Sequence, residues 1–358
     1  MSTPSTKSTP NKRRVAAVCG DGHIRLVEQD VPPLKPGAVL VEVHASLVSP
    51  GTELGGWRRL CAMREDPDPD AEPRPFGYAN AGVVLEVGMG VEEFAAGDRV
   101  ACMGAGYAVH GDYAVVPHHL CVPLPDEVSF VEGSYGHLAA TALNALRRGE
   151  PEFGEWVGVA GLGLVGQLTA QLYHLAGNFV IGWEPVAFRR EVARGWGIDA
   201  AVDIGDEVAA TDEFTGGQGL DAAVIAYGGN ADETLVRLTE SMKCSPDGHP
   251  MGHIIVVGGA RFECPATPTN LDIRRAGRTG PGYHDEEWEY GADYPPVFMR
   301  WTTRTNLALC MKLIAEGRLK LDALTTHTIP LSQVDEDITA ALEQPDEMLG
   351  VAFVQSDA

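Results

Sequence analysis

The sequence is short of anything that would tie it together covalently. Its seven cysteines, Cys19, Cys61, Cys102, Cys121, Cys244, Cys264 and Cys310, are scattered, and no two form a C-x-x-C pair. An odd, widely spaced set fits neither a disulfide framework nor a structural zinc site. These thiols read as reduced, mostly buried small side chains. Long apolar runs are missing too. Stretches such as Val157 to Val165 are broken by glycine and fall far short of the ~20 residues of a membrane-spanning helix. Positive charge is scarce: 27 Lys and Arg face 50 Asp and Glu, for a formal net charge of −23. Such a surface repels phosphate backbones and anionic lipid, so neither nucleic acid nor membrane is an expected partner. Behind Arg13-Arg14 the apolar stretch Val15 to Cys19 ends before Asp21, too soon for a signal-peptide core. Residues 1–14 read as a disordered tail, and the cytoplasm is the expected compartment.

What is present suits two domains. The chain has 358 residues, 44% of them hydrophobic, more than one compact core requires. Up to about Pro125 it carries short β-rich runs: Val15 to Val18, Val39 to Val43, Gly82 to Val87 and Tyr113 to Val116. Turn signals such as Lys35-Pro36-Gly37 and Ala96-Gly97-Asp98 separate them. The proline-rich acidic segment Arg64 to Pro75 reads as an exposed loop. After Phe130 the rhythm changes. A helix is expected over His137 to Leu146, followed by alternating strands and helices from Trp156 to Gly258. That alternation predicts a doubly wound parallel sheet, an α/β fold. Two amphipathic helices follow, Arg304 to Glu316 and Gln333 to Glu343. There is no internal repeat.

A dinucleotide fingerprint lies at the start of that alternation. Gly161-Leu162-Gly163-Leu164-Val165-Gly166 is G-x-G-x-x-G, placed after an expected strand and opening an expected helix. Gly161 permits the tight turn, Gly163 lets the backbone approach a pyrophosphate, and Gly166 lets helix pack on strand. The amides around Leu164 and Val165, with the helix dipole, would receive the phosphates. About 20 residues on, an acid should meet the ribose hydroxyls. Glu184 follows Phe179 to Trp183 and fits, which favours NAD over NADP. Arg189 and Arg190 lie close enough to bear on the same ribose. The turns Tyr227-Gly228 and Val257-Gly258 each end a strand, where open parallel sheets bind ligands.

These features together resemble the medium-chain dehydrogenase/reductase family, the alcohol and polyol dehydrogenases with a GroES-like domain. Gly97-Asp98-Arg99-Val100 looks like the family's G-D-R-V turn, and Thr326 to Leu331 like its T-H-x-x-P-L segment. The resemblance covers nearly the whole chain. It implies a GroES-like catalytic domain over 1–140, a Rossmann domain over 141–282, and a return to the catalytic domain over 283–358. It also implies a homodimer or homotetramer.

The zinc ligands are where the sequence departs from the pattern. Where zinc members carry C-G-T-D, this chain has Pro50-Gly51-Thr52-Glu53. Where they carry G-H-E, it has Gly77-Tyr78-Ala79. His137 matches a third ligand, and the four clustered cysteines of the structural zinc are missing between Val100 and Val116. A catalytic zinc needs three protein groups and an open position, so no metal is expected. The replacement chemistry would fall to His137 as general acid/base. Tyr78 would donate to the substrate oxygen, Thr52 would match the proton-relay hydroxyl, and Thr141 would lie against the nicotinamide. Ser49 to Leu54 with Trp57 is similar to an S-x-G-T-E branch that includes sugar-associated oxidoreductases. Tyr283 and the segment around Trp301 look like the same group. Ser49, Glu53, Trp57, Tyr283 and Trp301 are therefore the expected substrate residues, and a sugar or cyclitol alcohol the expected small-molecule substrate. An NADPH-dependent enoyl or quinone reductase, and a non-catalytic redox sensor, are the alternatives.

Overall fold

The strand Ala38–Val48 is buried along almost its whole length, because its β-branched residues have apolar neighbours on both faces. The structure, a computed structural model, describes residues 10–53, 57–263 and 270–355. Ala38–Val48 lies in the middle of a seven-stranded sheet. The order runs Thr325–Pro330, Gly350–Val354, Ala38–Val48, Ala79–Val87, Arg99–Met103, Cys121–Pro123, with Tyr113–Pro117 also on Ala38–Val48. The last strand pairs antiparallel with Ala38–Val48, Val351 opposite Val48, and parallel with Thr325–Pro330. The two ends of the chain thus build one sheet. A smaller sheet joins Ile24–Asp30, Lys12–Val18 and Arg74–Pro75, the prolyl strand at its edge where no ladder donor is needed.

The second sheet is parallel, with strand order Ala200–Val202, Phe179–Trp183, Trp156–Ala160, Ala222–Ile225, Met251–Val257, Asn270–Ala276. The order reverses between Trp156–Ala160 and Ala222–Ile225, which opens a crevice beyond their carboxyl ends. Helices cover both faces. Val157, Val159, Val224 and Ile255 fill one core, and Ile181, Ala223, Ile225 and Ile254 the other. The helices Gly136–Gly149 and Thr303–Ala315 join the two halves: Leu138, Leu307 and Met311 share a cluster with Val41, Val100 and Val122 of the first sheet.

This is the GroES-like plus Rossmann architecture expected, with three additions. The first block contains a helix, Trp57–Glu65. Between the third and fourth Rossmann strands in chain order runs the helix Glu207–Phe214. The edge strand Asn270–Ala276 alternates charged with apolar residues and is identified only by its pairing with Met251–Val257. Among the described residues, no helix is long and apolar enough to cross a membrane.

Candidate active site

Gly161 takes a positive φ of 93° and donates its amide to Trp183 O at 2.8 Å, so the turn is anchored on the neighbouring strand. At Gly166 a Cβ would lie 1.8 Å from the Gly161 carbonyl oxygen; only glycine lets the helix Leu164–Leu175 start there. A Cβ on Gly163 would meet nothing within 4 Å, so the backbone there borders open space. The first intrahelical bond is Gln167 N to Gly163 O, which leaves the amides of Leu164, Val165 and Gly166 without an intrahelical acceptor. Leu164 itself is buried and Val165 half-buried. A glycine cradle bordered by free amides at a dipole's positive end fits a pyrophosphate.

Glu184 is placed beside this loop but is less free than its sequence position implies. Its side chain is only 3% exposed. One oxygen accepts from Leu162 N at 2.7 Å and the other from Val186 N at 3.0 Å. The carboxylate holds the loop in shape, and its remaining lone pairs are what a ribose hydroxyl would meet. Arg189 is 3.8 Å from Glu184 and donates to the Pro345 and Met348 carbonyls. Arg190 binds Asp203 and the carbonyls of Glu184 and Pro185. Both guanidiniums are committed to the protein. The buried Gln167 finishes the assembly: its amide donates to Leu162 O and Arg189 O, and its oxygen accepts from Trp196 Nε1 at 2.7 Å. Across the crevice the two strand-end turns sit side by side, Gly229 opposite Ala260. The Tyr227 ring lies against Gly161, and its hydroxyl donates to Thr234. Gly228 faces Gly259, Val257 is buried, and Gly258 has a φ of 85°.

The other half of the site is a cluster of rings. Tyr78 and His137 lie against each other with centroids 4.3 Å apart and ring planes tilted by 35°, and Tyr283 meets His137 edge-on at 5.7 Å. Burial and the nearby Glu53 charge hold the Tyr78 phenol protonated well above its ordinary range, although the Ser49 and Thr52 hydroxyls are within hydrogen-bonding reach. Glu53 is fixed by Ser49 N at 2.7 Å and by the fully buried His110, whose Nε2 is 3.2 Å away. His110 packs edge-on against Phe76 and Phe353. The Tyr283 hydroxyl accepts from Ala105 N, and the Arg278 guanidinium lies over its ring. Asn144 and Asn306 hold the segment before it through the carbonyls of Gly277, Arg278 and Thr279.

Some expected roles change in this setting. His137 does not titrate near neutrality: burial pushes its pKa down to about 3, the Tyr78 backbone carbonyl opposing only in part. The ring is neutral at ordinary pH, and its Nδ1 is buried without a partner. Thr141 bonds back to the His137 carbonyl within its helix, which ties up its hydroxyl hydrogen. Trp301 lies outside the ring cluster, stacked under Arg147 at 3.6 Å and Arg300 at 4.5 Å. The Trp57 side chain falls outside the described residues. His110, Gln167, Asn144, Asn306 and Arg278 were not foreseen. All but Arg278, whose partner Tyr283 is five residues on, act through partners far away in the chain, and no local motif marks them.

The donors around Tyr78 do not fit a catalytic zinc. Pro50 offers no ligand, Tyr78 is held protonated, and His137 supplies one nitrogen where three protein groups are needed. Among the described residues one set of three donors converges, Glu93, His118 and His119. There the Glu93 carboxylate already accepts from Arg304 at 2.7 Å and sits 2.8 Å from His118 Nδ1, so its charge is met without an ion.

Residues 35–126 match the family model for the alcohol dehydrogenase GroES-like domain. The chain is 30% identical over 328 residues to D-guloside 3-dehydrogenase of Shigella flexneri, covering 84% of each protein. It is 26% identical over 357 residues to sorbitol dehydrogenase of Mus musculus, covering 90% of this chain and 91% of that one. Among solved structures, an oxidoreductase/dehydrogenase of unknown specificity from Escherichia coli superposes with a TM-score of 0.76 at 18% identity, over 97% of this chain and 100% of the other.

Proposed function

The chain belongs to the medium-chain dehydrogenase/reductase family, among its alcohol dehydrogenase-like oxidoreductases, and on that premise we propose that it interconverts a secondary alcohol and a ketone with NAD and without zinc, on a sugar, cyclitol or similar polyol. The observation that carries this reading is the Tyr78–His137 contact, centroids 4.3 Å apart, two rings at the positions where zinc relatives place ligands. The nicotinamide, when bound, supplies or accepts the hydride. The chain's own residues handle the oxygen and its proton. Tyr78, kept un-ionised by burial, donates a hydrogen bond to the reacting oxygen and so stabilises the charge that develops there. The hydroxyls of Ser49 and Thr52 lie within its reach, and Thr52 is exposed, so a proton leaving the alcohol has a path of hydroxyls to solvent. Neutral His137 orients the substrate, since an unpaired buried Nδ1 is what a ligand hydroxyl would satisfy. Glu53, fixed by Ser49 N and His110, offers a preset acceptor for a neighbouring hydroxyl.

NAD is favoured over NADP because the Glu184 carboxylate borders the expected ribose position while Arg189 and Arg190 are committed to protein partners. The test is a fluorescence titration of metal-analysed protein with NADH and NADPH, followed by a polyol panel. Tight NADH binding and NAD-linked turnover that survives chelation are expected. Preference for NADPH would favour the enoyl or quinone reductase reading. Stoichiometric zinc whose removal abolishes turnover would overturn the zinc-free chemistry.

A further inference from the structure

A crevice of about 210 Å³ opens between the helix Trp57–Glu65 and the strands Lys12–Val18 and Arg74–Pro75. Leu60, Phe76, Glu53, Arg59 and Arg74 line it. Those two arginines differ from most of the molecule's. With a net charge of −23, carboxylates are abundant, and Arg14, Arg25, Arg190, Arg237, Arg274 and Arg304 each hold one. Arg59 and Arg74 have no hydrogen-bond or ion-pair partner among the described residues, although the acidic loop Asp66 to Glu72 runs between them in sequence. Two unspent guanidiniums lining one crevice suit a planar or tetrahedral oxyanion. Glu53, which also lines the crevice, is the same carboxylate that acts on Tyr78.

We propose that this crevice is the subsite for an anionic group, a carboxylate or a phosphate, carried by the polyhydroxylated substrate. The proposal rests on the alcohol–ketone reading above and narrows it to acidic sugars or sugar phosphates. One molecule would span the site. Its anionic end meets Arg59 and Arg74, a hydroxyl meets Glu53, and the carbinol to be oxidised meets Tyr78. The acidic surface repels such a ligand at long range, an effect screened beyond ~8–10 Å in physiological salt; a local pair of cations is what holds it once inside.

The test titrates the protein–NADH complex with D-glucuronate, D-glucose 6-phosphate and D-glucose by calorimetry. At least one anionic sugar should bind about tenfold tighter than glucose, a preference that added salt erodes. R59Q and R74Q should each reduce that preference by about tenfold, at the parent's melting temperature, since both side chains are exposed. A glucuronate preference identifies a carboxylate and a glucose 6-phosphate preference a phosphate. Equal binding of all three sugars, no binding of any, or a preference that both variants retain overturns the subsite. The same titrations on cofactor-free protein separate the two readings. Failure to bind NADH counts against the dehydrogenase reading, while the sugar affinities still decide the subsite.

Discussion

Tyr78 and His137 are both held in their neutral forms, one as a donor and one as a polar group awaiting a partner. Y78F should therefore lower kcat about 100-fold, the usual range for a lost proton-transferring group. KM should change far less, and steady-state kinetics would separate the two. The His137 ring should stay unprotonated across the neutral range, so its carbon-bound proton shifts should be flat from about pH 5 to pH 8; a midpoint near 6.5 would contradict the burial argument. Two groups shape the pH dependence of stability. The folded pKa of His137 lies below its unfolded value, so the unfolded chain takes up the proton first and stability falls as pH drops from 6.5 towards about 3. Glu289 is the opposite case. Burial, helped by Asp285 and Glu286, raises its pKa from 4.5 to about 7. The folded state then holds the extra proton, and stability is lost as pH rises through that window. E289Q should melt higher than the parent at pH 8 and close to it at pH 4, read by thermal denaturation.

The glycine loop was legible because its requirements are local. The spacing of Gly161, Gly163 and Gly166 lies within six residues; Gly161 and Gly166 answer steric demands of the turn, and Gly163 keeps the backbone open to a ligand. G166A should cost ~3 kcal/mol, since the new methyl would force the main chain away from Gly161 O. Its melting temperature should fall by several degrees and NADH binding should be lost. The supports of the same loop were not legible. Gln167 reads as an ordinary helix residue until Trp196 and Arg189 are brought to it, and His110 reads as loop until Glu53 folds onto it. The role of Glu184 was seen in outline only. Its position after a strand was clear, while its bonds to Leu162 N and Val186 N depend on how the loop curls back. The edge strand Asn270–Ala276 escaped notice because it carries the charged alternation of a strand with an exposed face.

At the scale of the whole molecule, a net charge of −23 is self-repulsive. Adding salt to about 0.5 M should raise the melting temperature by screening it, and a fall would mean that ion pairs such as Arg237 with Glu207 outweigh the repulsion. The two-part architecture could be read from the change of rhythm after Phe130, but not the pairing that closes it, which joins Val351 to Val48 across nearly the full chain. That closure has a consequence for how the protein is made. The parallel sheet is complete once residue 276 has left the ribosome, whereas the sheet begun at Ala38 lacks its Gly350–Val354 strand until residue 354 has followed. The half built on the parallel sheet can fold on the nascent chain, and the half built on Ala38–Val48 must wait, with that strand's edge open, until Gly350–Val354 has been made.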